Sequence, residues 1–548
     1  MNKKIFALSA AIGAAAGAGG FIAEKEFKKY VSDENNKRKL LDLGDSAVQK
    51  VVGALAHRVP VKYVPYINRY DSTGFMEGSG YFLKTPKDGA KWQMGFAENS
   101  VIPYKIEGDC YIGGYLAFPP NKMDGVQIEQ MIRAYAFDDS SGRGIHVFAV
   151  IDCIGISNTD IRDIRRRLSD FIAEKNILSV NISATHCHSG IDTCGLWGDL
   201  IAALKTNIPA LKKNKPEDCI NGKNPSVMEY LKDTAAATIK KAVEQMTPGR
   251  LYYTQLPIAD FVHDKRPPDV IVDKATVLKF VPENGERQSL AVFMAAHPTC
   301  YGDKQKQAIC DFPRFMCDEI EKNGFNAAFF QGAELAIATD RGKHIPEGLT
   351  NAEGIKAYGE ALGRHVLSAC DYKELSPLLN VAVTQLMLPN SNNILELACR
   401  MRVVNNSMVK LTMSDEKNAK DYELRFATET GFASFGNALT FIMAPGEMEP
   451  ELITGGFLSP EDSYDGSAWT LPSFSELFGG DVAAIGLCND FVGYIIADNN
   501  FGSMFAPLHY EESISAGKHT ASSIVKCIIE LKNKAEATAD FPEYKEDI

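Results

Sequence analysis

Leu178-Ser179-Val180-Asn181-Ile182-Ser183-Ala184 leads directly into Thr185-His186-Cys187-His188, and the reading of this junction decides the fold. The first seven residues form a short, largely apolar run bounded upstream by Asn176, which predicts a buried β-strand with the histidines at its carboxyl end. Upstream, Ile145–Asp152 alternates and is rich in β-formers. Thr159 and Asp160, either of which suits a cap, then open a helical pattern with Ile161, Ile164, Leu168, Phe171 and Ile172 on one face. Strand, helix and strand in this order make a parallel βαβ unit. Similar grammar recurs downstream. Val277–Val281 and Leu290–Ala295 flank the turn Pro282-Glu283-Asn284-Gly285 and predict a hairpin, Phe312–Asn323 a helix, and Ala327–Phe330 a short buried strand. Val381–Leu388 and Leu424–Ala427 predict antiparallel strands, and Thr520–Lys534 a closing helix. The expected fold is α/β, with mixed, largely parallel β-sheets flanked by helices.

Three more motifs sit just past apolar runs: His297-Pro298-Thr299 after Leu290–Ala295, Pro445-Gly446-Glu447 after Ala438–Met443, and Tyr494 after Val482–Leu487. In an open α/β sheet the carboxyl ends of strands share one crevice, so residues far apart in sequence meet there. In an extended segment, residues two apart point the same way, which sets His186 and His188 on one side and Cys187 on the other. Imidazole is a common zinc ligand, yet a hydrogen-bonded histidine pair at a strand end has the same signature. Pro298 holds His297 extended and stops its strand. Glu447, exposed by a Pro-Gly turn, calls for a cation or hydrogen-bond donors unless it faces solvent at a helix start. Tyr494, following Gly493, fits packing equally well.

The net charge of −12, with no Lys/Arg cluster interleaved with aromatics, argues against a nucleic-acid partner. Twelve cysteines in 548 residues, without a CxxC pair, fall far short of a disulfide scaffold. They read as buried thiols rather than metal ligands. At the N-terminus, Lys3 and Lys4 precede the uncharged, Ala/Gly-rich stretch Ile5–Ala23. Its length is close to the roughly 20 residues that span a bilayer. The expected organisation is therefore a signal or membrane anchor at 1–23, a stalk with a helical start at 24–92, and a catalytic domain at 93–548. The catalytic domain is expected outside the cytoplasm, tethered to the cell membrane or secreted.

Taken together, the motifs resemble the neutral/alkaline (non-lysosomal) ceramidases, zinc amidases that cleave the N-acyl bond of ceramide. Ala184-Thr185-His186-Cys187-His188-Ser189-Gly190 is similar to the family's ATHTHSG, Ala296-His297-Pro298-Thr299 to its HPT, and Ala444-Pro445-Gly446-Glu447 to its PGE. Gly486-Leu487-Cys488-Asn489 with Tyr494 resembles GLxN…Y, and Asp264-Lys265-Arg266-Pro267 the NRxP segment. The pieces come in family order over residues 94 to 520. The resemblance implies a Zn2+ held by His186, His297, Glu447 and Tyr494. It further implies His188 as an acid/base or orienting residue and Arg266 polarising the substrate carbonyl, and it sets Asp152 and Asp311 as carboxylates that orient the imidazoles, although solvated caps fit those two equally well.

Two departures stand out. Where the family carries a serine in a motif like GDxSPN, this chain has Phe330-Gln331-Gly332-Ala333-Glu334-Leu335-Ala336-Ile337-Ala338-Thr339-Asp340, with Ala338 at the serine's expected place. The family's C-terminal β-sandwich domain has no room after Gly517. The leading expectation is hydrolysis of a lipid amide or a related small amphiphile at a membrane surface. The alternatives are a catalytically silent zinc-fold protein that binds an amphiphile, and a metal-dependent esterase or phosphoesterase.

Overall fold

The computed structural model describes residues 33–59, 74–412, 422–455 and 459–538, so the expected anchor at 1–23 lies outside the described residues. Two β-sheets face each other and helices cover their outer sides. The larger sheet contains β1 (Trp92–Ser100), β2 (Met131–Asp138), β3 (Ile145–Ile151), β4 (Ile177–Ala184), β5 (Thr247–Pro257), β6 (Lys274–Pro282), β7 (Gln288–Met294), β8 (Phe325–Gln331) and β9 (Lys373–Leu375). Its order is β8-β7-β6-β5-β1-β2-β3-β4, with β9 beside β5. The smaller sheet contains β10 (Leu379–Pro389), β11 (Met408–Thr412), β12 (Tyr422–Phe435), β13 (Leu439–Met443) and β14 (Asp481–Ile485), ordered β10-β12-β13-β14 with β11 beside β12.

The facing sides of the sheets interlock through aromatic rings. Trp92, Tyr135, Phe137, Phe293 and Phe330 of the larger sheet share one cluster with Phe435 and Phe441 of the smaller. Phe293 and Phe441 lie 4.2 Å apart between centroids, and Phe137 meets Phe435 edge-on at 5.5 Å. Each such pair adds about 0.5–1.5 kcal/mol beyond the area it buries. Helices complete the layers: α1 (Glu34–Ala56), α2 (Asn158–Arg167), α3 (Pro225–Glu244), α4 (Phe312–Lys322), α5 (Asn351–Leu367), α6 (Asn393–Arg400) and α7 (Thr520–Thr538). α2 and α3 cover one part of the outer face of the larger sheet, and α4 and α5 another part. α7 covers the smaller sheet.

The mixed, helix-flanked α/β architecture is the expected one, but the expected predominance of parallel pairing is corrected. Among the described residues of these two sheets, only β3–β4, β7–β8 and β13–β14 pair in parallel. Parallel neighbours need a crossover, and these three pairs alone have one: α2 lies between β3 and β4, α4 between β7 and β8, and residues 444–480 between β13 and β14. The remaining pairs in the two sheets are antiparallel, including the anticipated β6–β7 hairpin and β10 with β12. The helical pattern expected to continue from Ile161 to Ile172 is broken at Leu168 into two helices, and the cap position is Ser157 rather than Thr159 or Asp160.

The described parts of the 24–92 segment are not a free stalk. Residues 77–79 add to the edge of β10, with Ser79 N donating to Val381 O and Val383 N to Glu77 O. α1 lies along α6: Asn393 Nδ2 donates to Gln49 O, and buried Arg400 donates to Ala56 O and Val59 O. The bond to Ala56 O satisfies a backbone carbonyl at the end of α1 that a free helix would leave to water.

Candidate active site

The three parallel pairs deliver the site, because parallel strands all end on the same side. His186 and His188 follow β4, His297 follows β7, Glu334 follows β8, Glu447 follows β13, and Tyr494 lies in the loop after β14. Loop backbone stitches these exits together. Gly332 N donates to Met294 O, Gly486 N to Gln331 O, Cys488 N to Ala444 O, and Asn489 N to Ile182 O.

The imidazoles of His186, His188 and His297 meet at these exits. His188 Nε2 lies 2.9 Å from His186 Nε2, and donor atoms of His186, His188 and His297 all fall within 4.8 Å of one another. The means differ from the expectation of a plain extended segment, since His186 has φ 63, a strained conformation for a residue with a Cβ. Cys187 still turns away and bonds Ile309 O. Nδ1 of His186 faces Ile154 O at 2.7 Å, and Nδ1 of His297 faces Ile337 O at 3.1 Å. A carbonyl only accepts, so each Nδ1 carries a proton and each Nε2 is left to face the other groups of the site. Both Nε2 atoms aim at Glu447 Oε2, 3.3 Å from His186 and 3.0 Å from His297. Burial pushes the His188 imidazole well below its ordinary range, helped by its neighbours His186 and His297, and His297 is also lowered by burial. Burial alone would raise Glu447, but the imidazoles of His186 and His297 outweigh it and hold the carboxyl low.

Glu447 and Tyr494 are partners in a two-stranded parallel ribbon, Glu447–Met448 with Tyr494–Ile495. Gly446 permits this approach, because a Cβ there would collide with Gly493 O. The Tyr494 hydroxyl meets Tyr510 at 3.5 Å. Burial raises the Tyr494 phenol, and Glu447 raises it further. Gly114, at φ 119, lies so close to His188 that a Cβ would come within 2.6 Å of its Cα, Cβ and Cγ, and Tyr115 packs edge-on against the same ring.

Three expected roles are corrected. Arg266 is buried in a cage of carboxylates and carbonyls: it pairs with Glu512 at 2.9 Å and Glu511 at 3.2 Å and donates to Asn500 O at 2.8 Å. A guanidinium so engaged has a structural task, not that of polarising a substrate carbonyl. Asp152 accepts from Met131 N and pairs with Arg133, while Asp311 caps α4 and accepts from Cys300 N. Neither is hydrogen-bonded to an imidazole, because the backbone carbonyls of Ile154 and Ile337 already occupy the Nδ1 positions. Ala338 sits in a backbone bridge with His297, and the hydroxyl of the adjacent Thr339 contacts Cys300 Sγ.

The structure adds residues that motif reading passed over. Gln331 is fully buried and clamps three strand exits: its Oε1 accepts from Ala296 N, and its Nε2 donates to Ala296 O and Thr185 O. Asn489 binds the loop after β14 to β4 through Ile182 N and Asn181 Oδ1. Glu334 is completely buried, and one donor atom each from His186, Glu334 and Glu447 lie within 4.8 Å of one another. The signal that found the histidines, a polar residue just past a buried strand, is present at Glu334 as well.

This donor set fits a divalent cation. Nε2 of His186 and Nε2 of His297 face the same carboxylate oxygen of Glu447, and among the described residues neither Glu334 oxygen receives a hydrogen bond from another residue. Nitrogen and carboxylate oxygen are the ligand types zinc takes. A small apolar cavity is lined by Trp197, Leu395, Val404, Phe426, Phe491 and Ile514. Phe491 forms both a wall of the cavity and an edge contact with the His186 ring, 5.9 Å between centroids.

No protein-family model matches the chain, and no curated protein matches it by sequence. Solved structures do. A neutral ceramidase from Pseudomonas aeruginosa superposes with a TM-score of 0.56 and 14% identity, covering 83% of this chain and 75% of that one. A ceramidase complexed with C2 gives the same TM-score and identity, with 83% and 76% covered. The chain shares the fold of these ceramidase structures.

Proposed function

We propose that the chain is a divergent member of the neutral ceramidase family: a zinc-dependent amidohydrolase that cleaves the N-acyl bond of ceramide or a related lipid amide. The observation that carries this reading is the meeting of His186, His297 and Glu447, from three strand exits, in a fold shared with ceramidases. The apolar walls of the small cavity that Phe491 joins to His186 support a substrate with an apolar part.

His186, His297 and Glu447 would hold the ion, with Tyr494 alongside. A bound zinc supplies an activated water and polarises an amide oxygen. His188, held by Gly114 and Tyr115, is placed to carry a proton at Nε2 to a departing amine. The N-terminal segment 1–23 would bring the site to the membrane. Among the described residues no helix is long and apolar enough to cross a bilayer.

Zinc content and fatty-acid release from an N-acyl-sphingosine test the proposal, with His297→Ala expected to lose both. An inactive wild-type protein that binds no metal would overturn it. Ala338, which brings no hydroxyl to the backbone bridge with His297, favours a second reading. In that reading the protein binds an amphiphile and metal without turnover, and metal binding with no release of fatty acid would select it.

A further inference from the structure

We propose that Glu334 supplies a carboxylate ligand to the metal centre, so that the ion is held by His186, His297, Glu447 and Glu334. The inference rests on the metal site of the proposed function and changes its ligand set. Three observations converge on it. The carboxylate is fully buried, and among the described residues its oxygens receive no hydrogen bond from any other residue. A buried carboxylate in that state requires a cation or a proton. Its position is also built rather than incidental. Leu335 N donates to Met448 O, which fastens the residue after Glu334 to the ribbon that carries Glu447. Gly486 leaves room for the side chain, since a Cβ there would lie 2.8 Å from Glu334 Oε2. Finally, the group His186, Glu334 and Glu447 is compact enough to share one ion.

Charge points the same way. With Glu447 alone, a divalent cation would leave a net positive charge in a buried site, whereas two carboxylates neutralise it. A set of two imidazoles and two carboxylates is also harder than one with a single carboxylate, and so more tolerant of Mn2+ and Co2+. The stretch in which the family serine is missing would thus contribute a ligand in place of a hydroxyl.

The test uses the full chain loaded with Co2+ and compares wild type with Glu334→Gln and Glu334→Ala. Affinity is read by chelator competition, and ligand geometry by the visible absorption of the cobalt. The expected result is at least a tenfold loss of affinity and an altered cobalt spectrum in both variants, with circular dichroism unchanged. Glu334→Asp should recover part of the affinity. Wild-type affinity and spectrum in folded Glu334→Gln and Glu334→Ala would overturn the inference and leave the metal site standing. Failure of the wild type to bind Co2+ or Zn2+ would overturn the metal site itself, and the inference with it.

Discussion

Gln331 carries more of the site's geometry than any residue picked out by a motif. Its amide ties the exit of β7 to that of β4, thereby setting the spacing between His297 and His186. Replacing it by leucine keeps the bulk and leaves Ala296 N without its partner, at a cost of about 1–3 kcal/mol. Gln331→Leu should therefore unfold at lower temperature and bind zinc more weakly, as calorimetry and chelator competition would show. His146 offers a test of pH dependence away from the site. Burial, reinforced by Arg143, lowers this imidazole to about 3, and its ring nitrogens meet Ser79 Oγ and Ser179 Oγ. Because the folded value lies below the unfolded value of about 6.5, the unfolded chain takes up the proton first. Stability from this group is complete above pH 6.5 and is lost as pH falls from there toward 3. Between pH 7 and 5.5 the loss is about 1 kcal/mol. His146→Gln should flatten that limb of the stability curve, and equal slopes in the two proteins would contradict the assignment. Motif reading missed Gln331 and Glu334 because a buried glutamine and a buried glutamate look like any polar residue until the strand exits are seen together. The role of Arg266 is illegible in sequence for the converse reason. Its partners Glu511 and Glu512 lie about 245 positions away, and no local pattern reveals an ion pair at that distance.

At the scale of elements, the strands and helices that set the site were legible because hydrophobic period and turn chemistry are local. β4, β7, β13 and β14 begin and end within a residue or two of their expected limits. Direction of pairing was less legible. It depends on which strands become neighbours, and strands separated by hairpins or long excursions pair antiparallel without a sequence mark. The short ribbon of Glu447–Met448 with Tyr494–Ile495 shows how much rests on one backbone contact. Gly446→Ala would drive its Cβ into Gly493 O, which can be relieved only by separating the two segments. The variant is expected to retain the fold, because both sheets are paired independently of the ribbon, and to lose most metal binding and any hydrolysis. Retention of wild-type zinc affinity in Gly446→Ala would mean that Glu447 is not a ligand.

For the molecule as a whole, the candidate centre joins the two sheets. His186, His297 and Glu334 leave the larger sheet, whereas Glu447 and Tyr494 belong to the smaller sheet's side. The aromatic layer already binds the sheets along their facing sides, so a cation at the strand exits acts as a clasp at one end. Binding to the native state alone stabilises it by about 2.7 kcal/mol when free metal is a hundred times the dissociation constant. Chelation should therefore lower the melting temperature by a few degrees, and restored zinc should reverse the shift. His297→Ala, which removes a ligand without touching the aromatic layer, should melt at the same temperature with and without chelator. Hydrogen exchange gives the spatial version of the same test. Metal should slow exchange at residues 182–188, 294–297, 331–337 and 444–448, drawn from both sheets, and leave the opposite ends of β1 and β5 unaffected. Slowing confined to one sheet would contradict a centre shared between them.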